Sequence, residues 1–318
     1  MTDVLAEYLA QGLVAKAQES ETAEAAKVGF LRGGTSGVIG LDGEVYGKCQ
    51  RVAYLRQLGI QAPADASSQE LFETGYASEA ALLERLARGL PPTKRLATAA
   101  ELDFEWVTAN NTKVSGRPDG GVVDVATGKL DFGLEAKLAA SLWTVLGVCY
   151  DLRPKGDHLI QAAHYSWRLG SIPFKLVYSV RSDYHLSTAP KWLTEKFKPG
   201  APHVEFKDGK AFKVRPHTMI YDLTWDDQGR WCYTCDRQPV PQPTQITTAG
   251  LEAWYTQVAA LGPDKSLPAK PRLGTVDGTK GYDQCKYCDW APVCERTEDL
   301  AVGQWLDHIR AFKTEAAK

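Results

Sequence analysis

The chain has 318 residues, 44% hydrophobic and 24% charged, a globular composition with room for one large domain or two small ones. No run of about 18 apolar residues is present, which excludes a spanning helix. A net charge of −2 argues against tight unspecific coating of DNA and leaves a confined basic path open. Seven cysteines, an odd number without regular disulfide spacing, point to metal binding or redox chemistry in a reducing cytoplasm.

Residues 1–27 are rich in Ala and Glu and read as an amphipathic helical arm, without the basic-then-apolar order of a secretory signal. Residues 33–37 form a Gly-rich turn. Cys49 opens a helix over 50–58, ended by Gly59, with Lys48, Arg51 and Arg56 cationic around it. A longer helix spans 67–90, with Ser67 and Glu70 as a capping box. Phe72, Tyr76, Glu79, Leu83, Leu86 and Leu90 share one face of it at helical spacing. Glu79 intrudes on that apolar stripe, and a carboxylate there is costly unless paired or bound to metal. Residues 102–107 alternate as a strand, 110–111 turn, and strands at 114–117 and 121–125 flank Pro118. A hairpin turn at 126–129 leads to a strand over 130–137, where Glu135 and Lys137 point to one face. The helix over 157–168, ended by Gly170, sets Gln161 and Tyr165 on one face, and 174–180 is a strand. Short strands follow at 204–206, 212–215, 219–223 and 230–235. Then come a linker over 239–243, a helix over 249–261 and a loop over 263–280. The order predicts a mixed α/β core. Four parts are expected: a helical arm (1–60), a core (61–182), a β-rich and helical addition (183–280) and a C-terminal segment with a helix (281–318).

Two constellations carry chemistry. The first is Gly-Arg-Pro-Asp119 followed by Glu135-Ala-Lys137. Cutting a phosphodiester needs an activated water, a stabiliser of phosphate charge and help for the leaving oxygen, all of which divalent ions can supply. Hard ions such as Mg²⁺ take oxygen ligands. Asp119 and Glu135 supply carboxylates, and Glu79 adds a third. Lys137 would orient or deprotonate the attacking water, or stabilise transition-state charge. Gln161 and Tyr165 would hold the substrate strand or the metal-bound water. The mundane readings are a turn Asp119, an exposed Glu135–Lys137 ion pair, a Glu79 paired with Arg, and Gln161 and Tyr165 as packing.

The second constellation is Cys49 with Cys285, Cys288 and Cys294. Four thiolates hold one iron–sulfur cluster or one tetrahedral zinc, which would staple the first quarter of the chain to the last tenth. A rival zinc set combines Cys285 and Cys288 with Cys232 and Cys235. On one regular strand the latter two would face opposite sides. Cys149 reads as a core thiol.

Asp119, Glu135-x-Lys137 and Gln161-x₃-Tyr165 resemble the PD-(D/E)XK nuclease superfamily. The segment Leu71-Phe-Glu-Thr-Gly75-x₃-Glu79 is similar to the helix preceding the core in its RecB-like exonuclease branch. Many members have a metal-binding His where this chain has Glu79, and phage recombination exonucleases often have Glu. The cysteine pattern resembles members with a 4Fe-4S cluster, among them CRISPR-associated adaptation nucleases and helicase–nucleases. The resemblance covers roughly residues 45–180 and 280–296, leaving 185–280 unexplained. It implies a restriction-endonuclease-like mixed central sheet flanked by helices, Mg²⁺ or Mn²⁺, and action on DNA single strands or duplex ends. Recombination, repair or spacer capture would be its setting, in a bacterial or phage-infected cytoplasm, with recombination or helicase proteins as partners and no membrane. A structure-specific endonuclease, a non-catalytic DNA-binding iron–sulfur protein and a redox sensor are the rival classes. No Gly-x₄-Gly-Lys-[Ser/Thr] loop is present for ATP.

Overall fold

The computed structural model describes residues 30–32, 36–60, 66–108, 111–186, 191–195, 197, 200–268, 285, 288–297 and 300–316. The expected arm at 1–27, most of the turn at 33–37 and most of the loop at 263–280 lie outside them. So do the side chains of 66–72, and with them the Ser67–Glu70 capping box and Phe72.

One seven-stranded sheet organises the chain, and its strands follow one another across the sheet in sequence order. They are β1 (Lys94–Thr98), β2 (Gly120–Asp124), β3 (Leu130–Leu138), β4 (Phe174–Val180), β5 (His217–Trp225), β6 (Arg230–Cys235) and β7 (Gln238–Thr247). Every neighbouring pair is antiparallel except β3 and β4, which run parallel. A parallel pair needs a crossover. Here a helical turn over Leu142–Val145 and a π-turn over Leu146–Tyr150 lead into the helix Gly156–Arg168. The β2–β3 hairpin closes on Gly128 (φ +67°), with the Asp124 carboxylate accepting the Thr127 N–H. Between β3 and β4, a Cβ on Gly133 would stand 2.3 Å from the Phe174 ring. Only glycine lets that ring lie flat across the strand.

The helices are α1 (Gln50–Gln57), α2 (Ala66–Gly89), α3 (Gly156–Arg168), α4 (Thr248–Ala259) and α5 (Val302–Ala316). Gly59 (φ +72°) ends the segment after α1 and Gly170 (φ +91°) follows α3, as their sequence positions predict. α2 already includes Ser67 and stops one residue short of Leu90, and Leu83, Leu86 and Leu90 of the expected stripe are only half-buried. No described helix is long and apolar enough to cross a membrane.

The linker expected at 239–243 is instead part of β7. Proline cannot donate to a ladder and is confined to sheet edges. Pro239, Pro241 and Pro243 alternate, so their nitrogens all point to one side of a strand that is the last of its sheet. Their run therefore blunts an edge rather than breaking the strand. Strands β5 to β7 come from 183–280, so much of that segment completes the same sheet as the core.

Two apolar cores are present among the described residues, the larger of them packed on the sheet. The larger packs Leu159, Ile160, Ala163 and Tyr165 of α3 against Leu176 and Tyr178 of β4 and Tyr221 and Leu223 of β5. The second joins the chain's ends: Leu55 of α1, Trp254 and Val258 of α4, Trp290 and Val293, and Trp305 and Ile309 of α5.

At their boundary the fully buried His164 sits among Phe104, Trp106, Tyr165, Trp167 and Tyr255, its Nδ1 3.0 Å from the Tyr255 hydroxyl. Burial, helped by Arg168, lowers its pKa to about 3 from the ordinary 6.5. The folded state therefore resists a proton that the unfolded chain accepts. His164's contribution is intact above pH 6.5 and is lost as pH falls toward 3, at up to about 1.4 kcal/mol per pH unit. Urea unfolding of His164→Phe should show a shallower loss of stability than wild type across that window; parallel curves would refute this.

Candidate active site and cysteine centre

The carboxylates gather where β2 starts and β3 runs on past it. β2 begins at Gly120, paired with Leu134, so β3 projects beyond it with Glu135, Ala136 and Lys137. Asp119, just before β2, covers the projecting backbone: its Oδ2 accepts the Ala136 N–H at 2.7 Å. That bond fixes Asp119 against the peptide between Glu135 and Lys137, which a simple turn residue would not do. Glu135 is 0% exposed, and its Oε1 accepts from the Lys137 ammonium. The two form an ion pair, but a buried one rather than the exposed pair of the mundane reading. Glu135 Oε2 is buried with no hydrogen-bond partner among the described residues.

Glu79 of α2 completes the group electrostatically. Burial first, and then Asp119, push its pKa up to about 7 against the pull of Lys137 and Arg117. Burial and then Asp119 push Glu135 up to about 8, with Glu79 adding to the rise. Burial raises Asp119 as well, opposed by Lys137 and the Ala136 amide. Burial works against a charged Lys137, but Glu135, Asp119 and Glu79 outweigh it and raise its pKa. Three carboxylates and one ammonium thus share one field, and the lysine is held as a cation. Tyr165, 3% exposed, reaches the same field: its hydroxyl accepts from Gln161 Nε2 at 3.1 Å, and Glu135 and Asp119 help burial to raise its pKa.

Three further groups surround the carboxylates: Arg117 of the Gly-Arg-Pro-Asp119 run, His158, expected from the sequence as ordinary surface or packing, and Arg181. Arg117 acts on Glu79. His158 lies close enough to Lys137 to feel its charge, and its Nδ1 is 2.9 Å from the Tyr178 hydroxyl, which also accepts the Lys155 N–H. Arg181, just past β4, donates from Nη2 to the Ser78 carbonyl at 2.7 Å and from Nε to Ser179 Oγ at 3.3 Å. It ties α2, one residue from Glu79, to the strand beside β3. Such contacts join residues about a hundred apart in sequence and are invisible to local patterns. If Glu79 works in the site, Arg181→Ala should lower its activity about tenfold, the order of one charge-assisted hydrogen bond, with partial recovery in Arg181→Lys. Unchanged kinetics would deny Arg181 this positioning role.

The structure also brings the chain's outlying cysteines together. Cys49 is the N-cap of α1, and Cys294 adds to the burial that pushes its thiol up to about 11, against the facing Val52 and Arg51 amides and the Arg51 charge. Burial raises Cys288 too, with Cys294 and Cys285 contributing. The Cys288 N–H donates to the Cys285 carbonyl, and Cys294 rides on the short helix Ala291–Arg296. Cys288 and Cys294 pack against the second core. Arg51 is 5% exposed, with Nη1 unpartnered among the described residues. Cys232 and Cys235 belong elsewhere. Cys235 joins the larger core with Trp231 and Tyr233, whereas Cys232 donates to Asp226 Oδ2 at 3.7 Å. Cys149 is a buried core thiol.

Among the described residues, no group of three or more His, Cys, Asp or Glu side chains is placed to hold a metal ion. In chemistry the donor sets still fit one. The orphaned Glu135 oxygen and mutually repelling carboxylates suit a hard divalent cation. The converging thiols beside a buried guanidinium suit an anionic thiolate-bound centre. Comparison of the chain with protein-family models, curated proteins and solved structures found no match.

Proposed function

We propose that this chain is a Mg²⁺- or Mn²⁺-dependent deoxyribonuclease of the PD-(D/E)XK superfamily, in its RecB-like branch. It would act as an exonuclease on single strands or duplex ends and carry a 4Fe-4S cluster on Cys49, Cys285, Cys288 and Cys294. One observation carries the reading: buried Glu135, with an unsatisfied oxygen, shares a field with Asp119, Glu79 and Lys137. Burying that much like charge is costly, and a structural ion pair needs only one carboxylate. The helix, antiparallel meander, crossover and parallel strand around it agree with a restriction-endonuclease-like core.

Glu79, Asp119 and Glu135 would hold the divalent ion, which supplies Lewis acidity and an activated water when bound. The chain's own residues do the rest. Asp119 is locked by the Ala136 amide, so its second oxygen is oriented before substrate arrives. Lys137, held as an ammonium, stabilises the charge that builds on the phosphoryl oxygens rather than removing a proton. Gln161, bonded to Tyr165, positions the scissile strand or the nucleophilic water.

Incubation with end-labelled linear and closed circular single-stranded DNA tests this. Mg²⁺ or Mn²⁺ should release short products from linear DNA, a chelator should stop it, and the circle should survive. A degraded circle would make the enzyme an endonuclease. No cleavage of either DNA with either ion would remove the nuclease reading.

A further inference from the structure

Among the described residues the exposed large apolar side chains include only two aromatics, Tyr76 at 67% and Trp143 at 60%. The chain has 9 Trp, 13 Tyr and 9 Phe, so the location of these two is informative. Tyr76 shares α2 with Glu79, and Trp143 follows the strand that carries Glu135 and Lys137. Tyr76 precedes Glu79 by three residues on α2, so the two lie on one face about one turn apart. Trp143 lies in the turn Leu142–Val145, which leaves β3 just after Glu135 and Lys137.

Both stand on braced backbone. The Ser141 hydroxyl accepts the Thr144 N–H at 3.2 Å, capping the turn under Trp143. The Tyr184 hydroxyl donates to the Ala139 carbonyl at 2.8 Å, fixing the chain's exit from β3. Arg181 holds the Ser78 carbonyl, two residues from Tyr76. A ring on a braced element loses little freedom when it stacks. The nearby exposed cations are Arg117 and Arg181, and cations beside exposed rings match a phosphate backbone that carries π-faced bases. A protein partner would call for a contiguous patch of large apolar side chains, but among the described residues neither α2 nor the turn Leu142–Val145 exposes another.

We infer that Tyr76 and Trp143 are base-stacking platforms flanking the acidic site, and that the ligand they take is an unpaired stretch of polynucleotide. The inference rests on the nuclease reading and deepens it: bases paired in a duplex offer no open face, so the strand must be single or frayed where it crosses the site.

The test is equilibrium binding, by anisotropy, of a short fluorescein-labelled oligothymidylate in Ca²⁺, with an abasic oligonucleotide of equal length as the comparison. Stacking lost by alanine substitution weakens binding roughly fivefold or more per base. Tyr76→Ala with Trp143→Ala should therefore weaken oligothymidylate binding by more than about tenfold, and Tyr76→Phe with Trp143→Phe should restore it. Wild type should bind the abasic strand weakly, and the double alanine variant should bind it no worse. Equal wild-type affinity for both strands, or no loss in the double alanine variant, would overturn the stacking site while leaving measured DNA cleavage to support the nuclease. Wild-type protein that neither binds nor cuts DNA would overturn both.

Discussion

Glu135→Gln should abolish DNA cleavage and, in the presence of a chelator, make the protein more stable. The two effects have one cause. Glu135 is fully buried, and burial with Asp119 raises its pKa to about 8, against 4.5 for an ordinary carboxyl. In the unfolded chain it ionises above pH 4.5. In the folded chain it resists ionising until about pH 8. The group therefore costs stability progressively as pH rises through that interval, and the cost is complete only above the upper value. At pH 7 the amount is roughly 2–4 kcal/mol, from about 1.4 kcal/mol per unit. Glutamine keeps the shape and an acceptor for Lys137 but sheds the repulsion with Asp119 and Glu79. Cleavage should fall at least about a thousandfold, because the carboxylate proposed to hold the ion, and which pairs with Lys137, is gone. Urea denaturation and single-turnover digestion measure the pair of effects. A structural ion pair predicts the opposite combination, lost stability with activity retained.

With the proposed cluster on Cys49, Cys49→Ser should abolish a brown colour and cost roughly 3 kcal/mol or more of stability. Cys49 caps α1, whereas its three companions lie more than two hundred residues later, beside Trp290, Val293 and α5. A ligand bond across that span would link Cys49 of the α1 cap to the C-terminal segment. Because a preformed centre does not exist in the unfolded chain, its binding energy is folding energy. Loss of absorbance near about 400 nm, a rough marker of iron–sulfur bonds, with a lowered urea midpoint is the expected result. Full absorbance in the variant would remove Cys49 from the ligand set. A colourless wild type with one bound zinc would keep the staple and exchange its metal.

Local periodicity carried most of the fold. Strict alternation marked Phe104–Val107, and β-rich runs ending in turn residues marked β2 to β4 and β6 nearly to the residue. Three alternating prolines concealed β7, because proline's missing donor harms an inner strand but not an edge, and edge position is a property of the whole sheet. The site was readable where its residues share one element: Glu135 with Lys137 on β3, Gln161 with Tyr165 on α3. Arg117, His158 and Arg181 were not, since their partners arrive from distant segments. The stripe on α2 misled in a different way. Its spacing matched a packed face, yet Tyr76 is 67% exposed and Glu79 turns to the acidic group.

Glu79, Asp119 and Glu135 are proposed to hold a divalent cation beside the Lys137 ammonium. Mn²⁺ binding followed by the loss of its free-ion electron paramagnetic resonance signal tests it without reference to any substrate. Wild-type protein should take up Mn²⁺, Asp119→Asn and Glu135→Gln should not, and Lys137→Ala should bind at least as well as wild type because the ammonium repels the ion. Mn²⁺ uptake that is absent in wild type, or unchanged in the two carboxylate variants, would contradict the account.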